Sequence, residues 1–306
     1  MIKSVTVVNH LGESLKLDLA SPEKSGFIVK SIEGLGPVKA TVNTTKMSTT
    51  DGALYNSARV DERNIVLRLE YMLKETVEEV RHLSYKYFPI KKQITFIVET
   101  EKRKCAINGY VESNEPDIFN KQSGCQISII CPYPYFHDAN GKQETVFSGI
   151  VPLFEFKFPS HVSSESGTYD LIEFGRINNM DRRTIYYSGE SDAGISIELH
   201  ALGSVIKPSI FNANTREYIS IDTTKLELST GNGIIAGDTI YINTAKGQKS
   251  VLLDRKGSYY NILNCIGAKS SWMQLSKGDN VFVYTSEYGT ANLQLKISNY
   301  VLYEGV

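Results

Sequence analysis

The sequence has 306 residues, enough for about two domains, and its apolar fraction of 41% excludes wholesale disorder. Its 33 Lys and Arg residues nearly balance its 34 Asp and Glu residues, which excludes the strong positive charge of a general nucleic-acid-binding protein. The first residues, MIKSVTVVNHLGESLKLDL, lack the apolar core of a signal peptide, and no apolar run approaches the ~18 residues of a membrane helix. We therefore expect a soluble protein that is made in the cytoplasm.

The first 136 residues predict mainly strands. Short runs in which apolar and polar residues alternate are typical of half-buried strands. Strands are expected at Lys3–Asn9, Ser14–Leu19, Gly26–Ile32, Val38–Thr44, Asn64–Met72, Gln93–Glu99, Cys105–Val111 and Gln126–Cys131. An Asn-Gly dipeptide within Ile107–Gly109 adds a strong hairpin signal, because this pair favours tight turns between strands.

Between Lys46 and Arg63 the strand pattern is interrupted by a long polar segment, which we call the arm. It holds small and polar residues, mixed charges and the turn signal Asp51-Gly52. Hairpin loops usually have two to five residues, and loops beyond about twelve are uncommon unless they are functional or disordered. The arm buries little apolar area by itself, so ordering it alone would cost roughly 1–2 kcal/mol per residue. It is therefore a candidate contact surface, with a mobile loop as the alternative.

One segment of this region, TVEEVRHLSYKYFP, predicts a helix. Thr76 and Glu79 have the spacing of a capping box, and Pro89 ends the helical pattern. Apolar residues that include Val80 and Leu83 approximate one face of the helix. A single amphipathic helix must cover a sheet, so we expect a β-sandwich-like domain with one lateral helix.

Proline and glycine clusters divide the chain. EGLGP, at Glu33–Pro37, is interpreted as a turn between strands, because no helix follows it to make a phosphate site. CPYPYF, at Cys131–Phe136, has two prolines that cannot continue a central strand. The predicted boundaries are an N-terminal domain at 1–136, a polar linker at 137–145 and a C-terminal domain at 146–306.

From Val146 onward the sequence predicts strands and no helix. Short alternating runs such as GISIEL, DTIYIN and NVFVYT are separated by the turn sequences TGNG, AKGQ and DRKG. Closely spaced strands of this kind are typical of an antiparallel sandwich. The predicted fold is mainly β, with a C-terminal galectin-like or jelly-roll β-sandwich.

No pattern of catalytic, metal-binding or cofactor-binding residues is found. The sequence lacks a nucleophile elbow, a P-loop, a dinucleotide fingerprint and HExxH. Its five histidines are widely separated, and its four cysteines, Cys105, Cys125, Cys131 and Cys265, form no CxxC pair and are expected to be buried and reduced. We therefore expect a protein that is not an enzyme and needs no metal or cofactor.

The single tryptophan, Trp272, leaves an alternative open. A tryptophan can stack on a sugar face, so a carbohydrate-binding adhesin that acts through the C-terminal sandwich is a second hypothesis. Packing of Trp272 at a strand end is the simpler interpretation. HALGSV at His200 is the closest match to the galectin motif H-x-N-x-R, and it lacks both the Asn and the Arg.

Three segments resemble one protein family. GLGPVKATVNTTKMSTTDGALYNSARVDERNIVL (Gly34–Leu67), the CPYPYF junction and GDNVFVYTSEYGTANLQLKISNYVLYEGV at the C-terminus are similar to the distal tail proteins of phages that infect Gram-positive bacteria. The resemblance spans nearly the whole chain in the same order. It implies a virion structural protein of the tail tip, or baseplate, whose N-terminal domains form a hexameric ring.

The resemblance also implies partners. The ring would lie between the tail tube protein and the tail hub protein, with DNA only in transit through its lumen and with the C-terminal domain carrying receptor-binding or other baseplate proteins. In some members of the family the long loop clasps a neighbouring subunit. We therefore expect Leu54 and Tyr55 to anchor the arm on a neighbour. The charged residues that would pair across that interface are Arg59, Asp61, Glu62 and Arg63.

Overall fold

A computed structural model describes residues 1–49, 51–72, 76–117, 123–151, 176–179 and 182–306. The chain divides into two compact units. The first unit comprises Met1–Gly141, Gly189–Ser191 and Val301–Val306, and the second comprises Lys142–Ser188 and Asp192–Tyr300. Neither helix in the described part of the chain has the length and apolarity of a membrane span.

The first unit is built from one large antiparallel sheet and a separate hairpin. Its strands are β1 Ile2–Val8, β2 Ser14–Asp18, β3 Phe27–Glu33, β4 Ala40–Thr45, β5 Leu54–Val60, β6 Arg63–Tyr71, β7 Gln93–Thr100, β8 Lys104–Pro116, β9 Gly124–Cys131, β10 Phe136–Asp138 and, from the end of the chain, β24 Leu302–Tyr303. The sheet has the order β2-β1-β7-β8-β9-β6-β3, and β10 adds to β8 and to β24. Among the strands of the described residues in this unit, only β4 and β5 stand apart, as a two-stranded sheet.

Period-two alternation gives this sheet a buried face. Along β6 the residues at odd positions, from Ile65 to Tyr71, are buried, whereas most of the even ones are more exposed. Val5, Phe96, Ile107 and Ile129 extend the same core across the neighbouring strands. These strands could be predicted from the sequence because one face of each is apolar.

The helix α1, Val77–Tyr87, forms where the capping box predicts it. The Thr76 side chain accepts a hydrogen bond from the backbone N–H of Glu79, which satisfies one of the free donors of the first turn. Val80 is buried in the core of the first unit, and the partly buried Leu83 packs against that core. The prediction of one lateral helix in this region is confirmed.

The predicted hairpin at Ile107–Gly109 is wrong. These residues lie inside the long strand β8, and the chain instead reverses at 101–103, between β7 and β8. Gly109 serves close packing here, since a Cβ on it would lie 2.6 Å from the Ile129 side chain and 2.7 Å from the Cys131 sulfur. A glycine in a strand can mark a close approach as well as a turn.

The second unit contains two larger antiparallel sheets. Its strands are β11 Gln143–Val146, β12 Ser148–Val151, β13 Arg176–Asn179, β14 Arg182–Tyr187, β15 Ala193–Ala201, β16 Ser209–Asn212, β17 Glu217–Ser220, β18 Thr239–Asn243, β19 Ser250–Arg255, β20 Ser258–Asn261, β21 Gln274–Leu275, β22 Gly278–Thr285 and β23 Leu293–Asn299. One sheet has the order β11-β23-β15-β18-β19-β20, with β21 on β15, and the other β14-β22-β16-β17; β12 and β13 pair separately. The Phe147 ring packs edge-on against Tyr284 of the second sheet, at 6.0 Å between centroids.

This architecture confirms the mainly β fold, with one exception in the second unit. A short helix, α2 Thr223–Thr230, was not predicted. Asp222 accepts hydrogen bonds from two backbone N–H groups of its first turn, and Gly231 ends it in the left-handed conformation at φ 79°. Two turns with only Thr223 and Leu226 buried carry too weak a periodic pattern to be recognised.

The two units differ from the predicted domains at the C-terminus. His137 and Asp138, placed in the linker, form most of β10, and the chain enters the second unit only at Lys142. Strand β24 pairs with β10, so Val301–Val306 complete the first unit rather than the second. No local pattern in the sequence indicates that the last strand joins the N-terminal domain. The four cysteines are free and buried, as expected.

Candidate inter-subunit surface

The predicted arm contains the second strand, β5, of an exposed β-hairpin whose first strand, β4, lies just before the arm. Ala40 pairs with Val60, Val42 with Ala58 and Thr45 with Leu54, with a bulge between Asn43 and Thr44. The predicted strand Val38–Thr44 is present as β4, Ala40–Thr45, which pairs with β5 and is exposed rather than half-buried. The expectation that the arm lacks strands is corrected for Leu54–Val60.

Both faces of the β4–β5 hairpin are open to solvent. Leu54 and Tyr55 are 53% and 67% exposed, and Val42 and Met47 are exposed as well. A two-stranded hairpin without a packed face is marginally stable in water. Exposed apolar residues on such an element need cover from another surface to contribute to stability.

Polar side chains hold the two strands together. The amide of Asn56 donates to the Thr45 hydroxyl at 2.7 Å, and the amide of Asn43 donates to the Ser57 hydroxyl at 3.1 Å. Near the base of the hairpin, the carboxylate of Asp61 accepts from the Thr41 hydroxyl at 2.7 Å. These bonds fix the register of the two strands without burying apolar area. The hairpin therefore has a defined conformation, and its apolar side chains remain accessible to a partner.

The predicted interface residues fall into two groups. Leu54, Tyr55 and Arg59 lie on β5, and Asp61 and Glu62 lie between β5 and β6. Arg59 Nε lies 3.2 Å from the Asp61 carboxylate, so these two residues already form an exposed ion pair within one chain. Such a pair contributes little to stability, and it remains accessible to a partner.

Arg63 does not belong to the exposed surface, which corrects its predicted role. The side chain is 2% exposed, and its guanidinium donates to four backbone carbonyls of the first unit. Nε donates to Pro134 at 2.7 Å, and Nη2 donates to Glu304 at 2.6 Å. Nη1 donates to Gly34 at 2.5 Å and to Gly36 at 2.6 Å. A group committed to four carbonyls within its own unit is not available to pair across an interface.

The environment of Arg63 explains two sequence motifs. Burial lowers the pKa of its guanidinium below the ordinary value, and the charge is balanced by carbonyl dipoles and by the ring of Phe136, whose centroid lies 4.6 Å from Cζ. EGLGP supplies two of the carbonyls and CPYPYF supplies a third together with the ring. Gly34 has φ 84°, and a Cβ there would lie 2.1 Å from the Asn64 carbonyl, so the turn requires glycine.

A signal for the buried position of Arg63 was present in the sequence. Arg63 shares its parity with Ile65, Leu67 and Leu69, which face the core of the first unit. Extending that alternation back by one step places residue 63 inside. Its charge and the neighbouring Asp61 and Glu62 favoured the interpretation of an exposed cluster instead.

Trp272, the candidate sugar contact, lies in the second unit and is partly buried just before β21. The Lys249 ammonium lies over its ring, 5.3 Å from the centroid. A ring covered by a cation offers less free face for stacking on a sugar. The geometry therefore agrees better with local packing than with an open sugar platform.

Among the described residues, no group of three or more His, Cys, Asp and Glu is arranged to hold a metal ion. His161 lies outside the described residues.

In the first unit, burial lowers the pKa of His137 below its ordinary value of 6.5, an effect that the neighbouring Asp138 opposes. Burial also raises the pKa of Cys105 and Cys125 to about 11, so both thiols are protonated and unreactive at neutral pH.

Comparison with known proteins gives structural matches only. No protein-family model matches the sequence, and no curated protein is similar to it. The structure is similar to that of SPP1 Dit (gp 19.1), described as a paradigm of the hub adsorption apparatus in phages that infect Gram-positive bacteria, with a TM-score of 0.62 and 10% identity over 96% of this chain and 98% of that one. Chains of the phage P2 baseplate in its activated conformation, with Ca and with Sr, match less closely, with TM-scores of 0.49 and 0.47 at 12% identity.

The match to SPP1 Dit shows a shared fold across nearly the full length of both chains. It confirms, at the level of fold, the resemblance that the sequence carries. Because the two sequences are only 10% identical, this match shows the fold and does not by itself show the function.

Proposed function

We propose that this chain is a distal tail protein, a structural and non-enzymatic part of a phage tail tip. The single observation that carries the proposal is the full-length fold shared with SPP1 Dit, both units included, at a TM-score of 0.62. Fold by itself is a weak argument for function. Here it joins an independent resemblance of three sequence segments to the same family.

In this proposal the first unit forms a hexameric ring between the tail tube protein and the tail hub protein. The β4–β5 hairpin supports this role, because its open apolar and polar side chains suit a contact with a neighbouring copy. A formal net charge of −1 suits a lumen that DNA crosses only in transit, since dense Lys and Arg contacts would hold phosphates. The second unit would serve as the attachment platform for receptor-binding or other baseplate proteins.

Gold-labelled antibodies against the chain, applied to phage particles that carry its gene, test this function. The expected label lies at the end of the tail distal to the head, and particles from a gene deletion lack a functional tail tip and do not infect. Label on the envelope of uninfected bacteria, with fully infectious particles from the deletion, would instead support the adhesin hypothesis.

A further inference from the structure

The base of the β4–β5 hairpin contains a pocket that the role of the hairpin does not explain. Its volume is about 160 Å³. Its apolar walls come from the residues that flank the hairpin and from the CPYPYF junction: Pro37, Val38, Ala40, Val60, Pro134 and Tyr135. We call this the base pocket. Arg63 also lines the pocket, and its guanidinium donates to the carbonyls of Pro134, a wall residue, and of Gly36, which precedes the wall residue Pro37.

The size and chemistry of the base pocket match a phenol. A cavity of about 150 Å³ with apolar walls is large enough to bind benzene. Glu304, an exposed residue, also lines the pocket, and a carboxylate is an acceptor for the hydroxyl of a bound phenol. A tyrosine ring inside an apolar pocket, with its hydroxyl on an acceptor, is a typical anchor of protein interfaces.

The hairpin carries such a tyrosine near its far end. Tyr55 is 67% exposed, and it pairs across the hairpin with Thr44. From Val60 at the pocket to Tyr55 there are five residues of strand, about 17 Å at roughly 3.3 Å per residue. Because β5 is paired with β4 from Leu54 to Val60, Tyr55 is kept away from the base pocket of its own chain.

We propose that Tyr55 of one copy occupies the base pocket of a second copy. The inference rests on the proposed ring and deepens it by naming the contact between subunits. A patch that fits a pocket elsewhere on the same molecule makes a head-to-tail contact, and such contacts close into rings when the rotation allows. Each copy supplies one tyrosine and one pocket, so every contact in the ring is equivalent.

Cross-linking between two full-length variants tests the geometry while keeping Tyr55 and the pocket intact. Ala53→Cys lies two residues before Tyr55, next to the start of β5, and Lys39→Cys lies between Val38 and Ala40, which line the pocket. Mixed and treated with a short bismaleimide, the two variants are expected to give a covalent dimer that neither gives alone. The native cysteines are buried and contribute little background. Leu228→Cys, an 84% exposed position of the second unit, replaces Lys39→Cys as the control and is expected to give no dimer with Ala53→Cys.

The strength of the contact is tested by Tyr55→Ala. This variant is expected to raise the concentration needed for half-maximal assembly by about tenfold or more, and Tyr55→Phe by less, because the ring remains. Tyr186→Ala, at a similarly exposed tyrosine of the second unit, is the control and leaves assembly unchanged. Rings that form without the specific cross-link, and that tolerate Tyr55→Ala, overturn this inference and leave the ring standing. A chain that stays monomeric at every concentration overturns both.

Discussion

At the residue scale, the buried guanidinium of Arg63 organises the first unit around backbone carbonyls. It joins the turn after β3, the CPYPYF junction and the C-terminal segment through Gly34, Pro134 and Glu304. Hydrogen bonds to a charged donor are stronger than neutral ones, and buried carbonyls left without a donor are costly. The planar fork of arginine reaches these acceptors together, which a lysine ammonium cannot do.

Arg63→Lys is therefore expected to destabilise the first unit by about 2 kcal/mol or more, since each unsatisfied buried carbonyl costs about 1–3 kcal/mol. Arg59→Lys, on the exposed hairpin, is the matched control and is expected to change stability little. Denaturant unfolding followed by far-ultraviolet circular dichroism measures the effect. Because Trp272 is the only tryptophan and lies in the second unit, its fluorescence reports that unit separately. Equal stability of the two variants would show that the Arg63 network contributes nothing.

A second prediction at this scale concerns pH and His137. Its pKa is lowered in the folded chain because burial disfavours the charged ring. A base with a lowered pKa binds protons more readily when unfolded, so stability is complete above about pH 6.5 and falls as the pH drops below that value. His137→Gln is expected to flatten the decline of first-unit stability between about pH 7 and pH 5. An unchanged pH slope in this variant would contradict the assignment.

At the element scale, the sequence identified elements with a strong local signal and missed those without one. The capping box of α1 and the alternation of β6 were sufficient to predict these two elements, because each signal lies within a short stretch of sequence. Strand β5 was missed because its exposed residues show no apolar face, and α2 because it is too short for a periodic pattern. The capping residues of α2, Asp222 and Gly231, were the sequence signal from which this helix could have been predicted. An exposed strand has no core to impose an apolar face on it, so its sequence need not alternate, as in β5.

The misread Asn-Gly dipeptide gives a prediction of its own. Gly109→Ala is expected to destabilise the first unit by about 1–3 kcal/mol, because the new methyl group meets the Ile129 and Cys131 side chains inside a packed sheet. Gly36→Ala is the matched control: a Cβ there meets nothing within 4 Å, so little change is expected. Thermal unfolding of both variants, followed by circular dichroism, checks the difference. A tolerant Gly109 would mean that the sheet relaxes easily at this point.

At the scale of the whole molecule, the division into units could be predicted only in part. Composition and the CPYPYF motif located the first transition within a few residues of Lys142. The return of the C-terminal segment to the first unit could not be predicted. Strand β24 pairs with β10, which lies more than 160 positions earlier, and no local sequence pattern indicates that pairing. The candidate surface divides in the same way. Leu54 and Tyr55 could be identified as large apolar residues within a polar segment, whereas the burial of Arg63 depends on carbonyls that are distant in sequence.

Deletion of Val301–Val306 is expected to lower the melting temperature of the first unit while leaving the Trp272 fluorescence transition of the second nearly unchanged. The deletion removes β24 and the Glu304 carbonyl that accepts from Arg63. Glu304→Ala keeps that backbone and serves as the control, with a much smaller shift expected. An unchanged first-unit transition in the deletion would show that the last strand is dispensable.

The proposed function requires that copies of this chain assemble into a closed ring through the β4–β5 hairpin. Light scattering after size-exclusion chromatography, with electron microscopy of the peak, measures this assembly for the full chain and for a variant in which Thr41–Arg59 is replaced by a short Gly-Ser turn. For the full chain we expect a ring of about six times the 34.2 kDa of one copy, and for the shortened variant a folded monomer. A full chain that remains monomeric at high concentration, or a ring that survives loss of the hairpin, would contradict the claim.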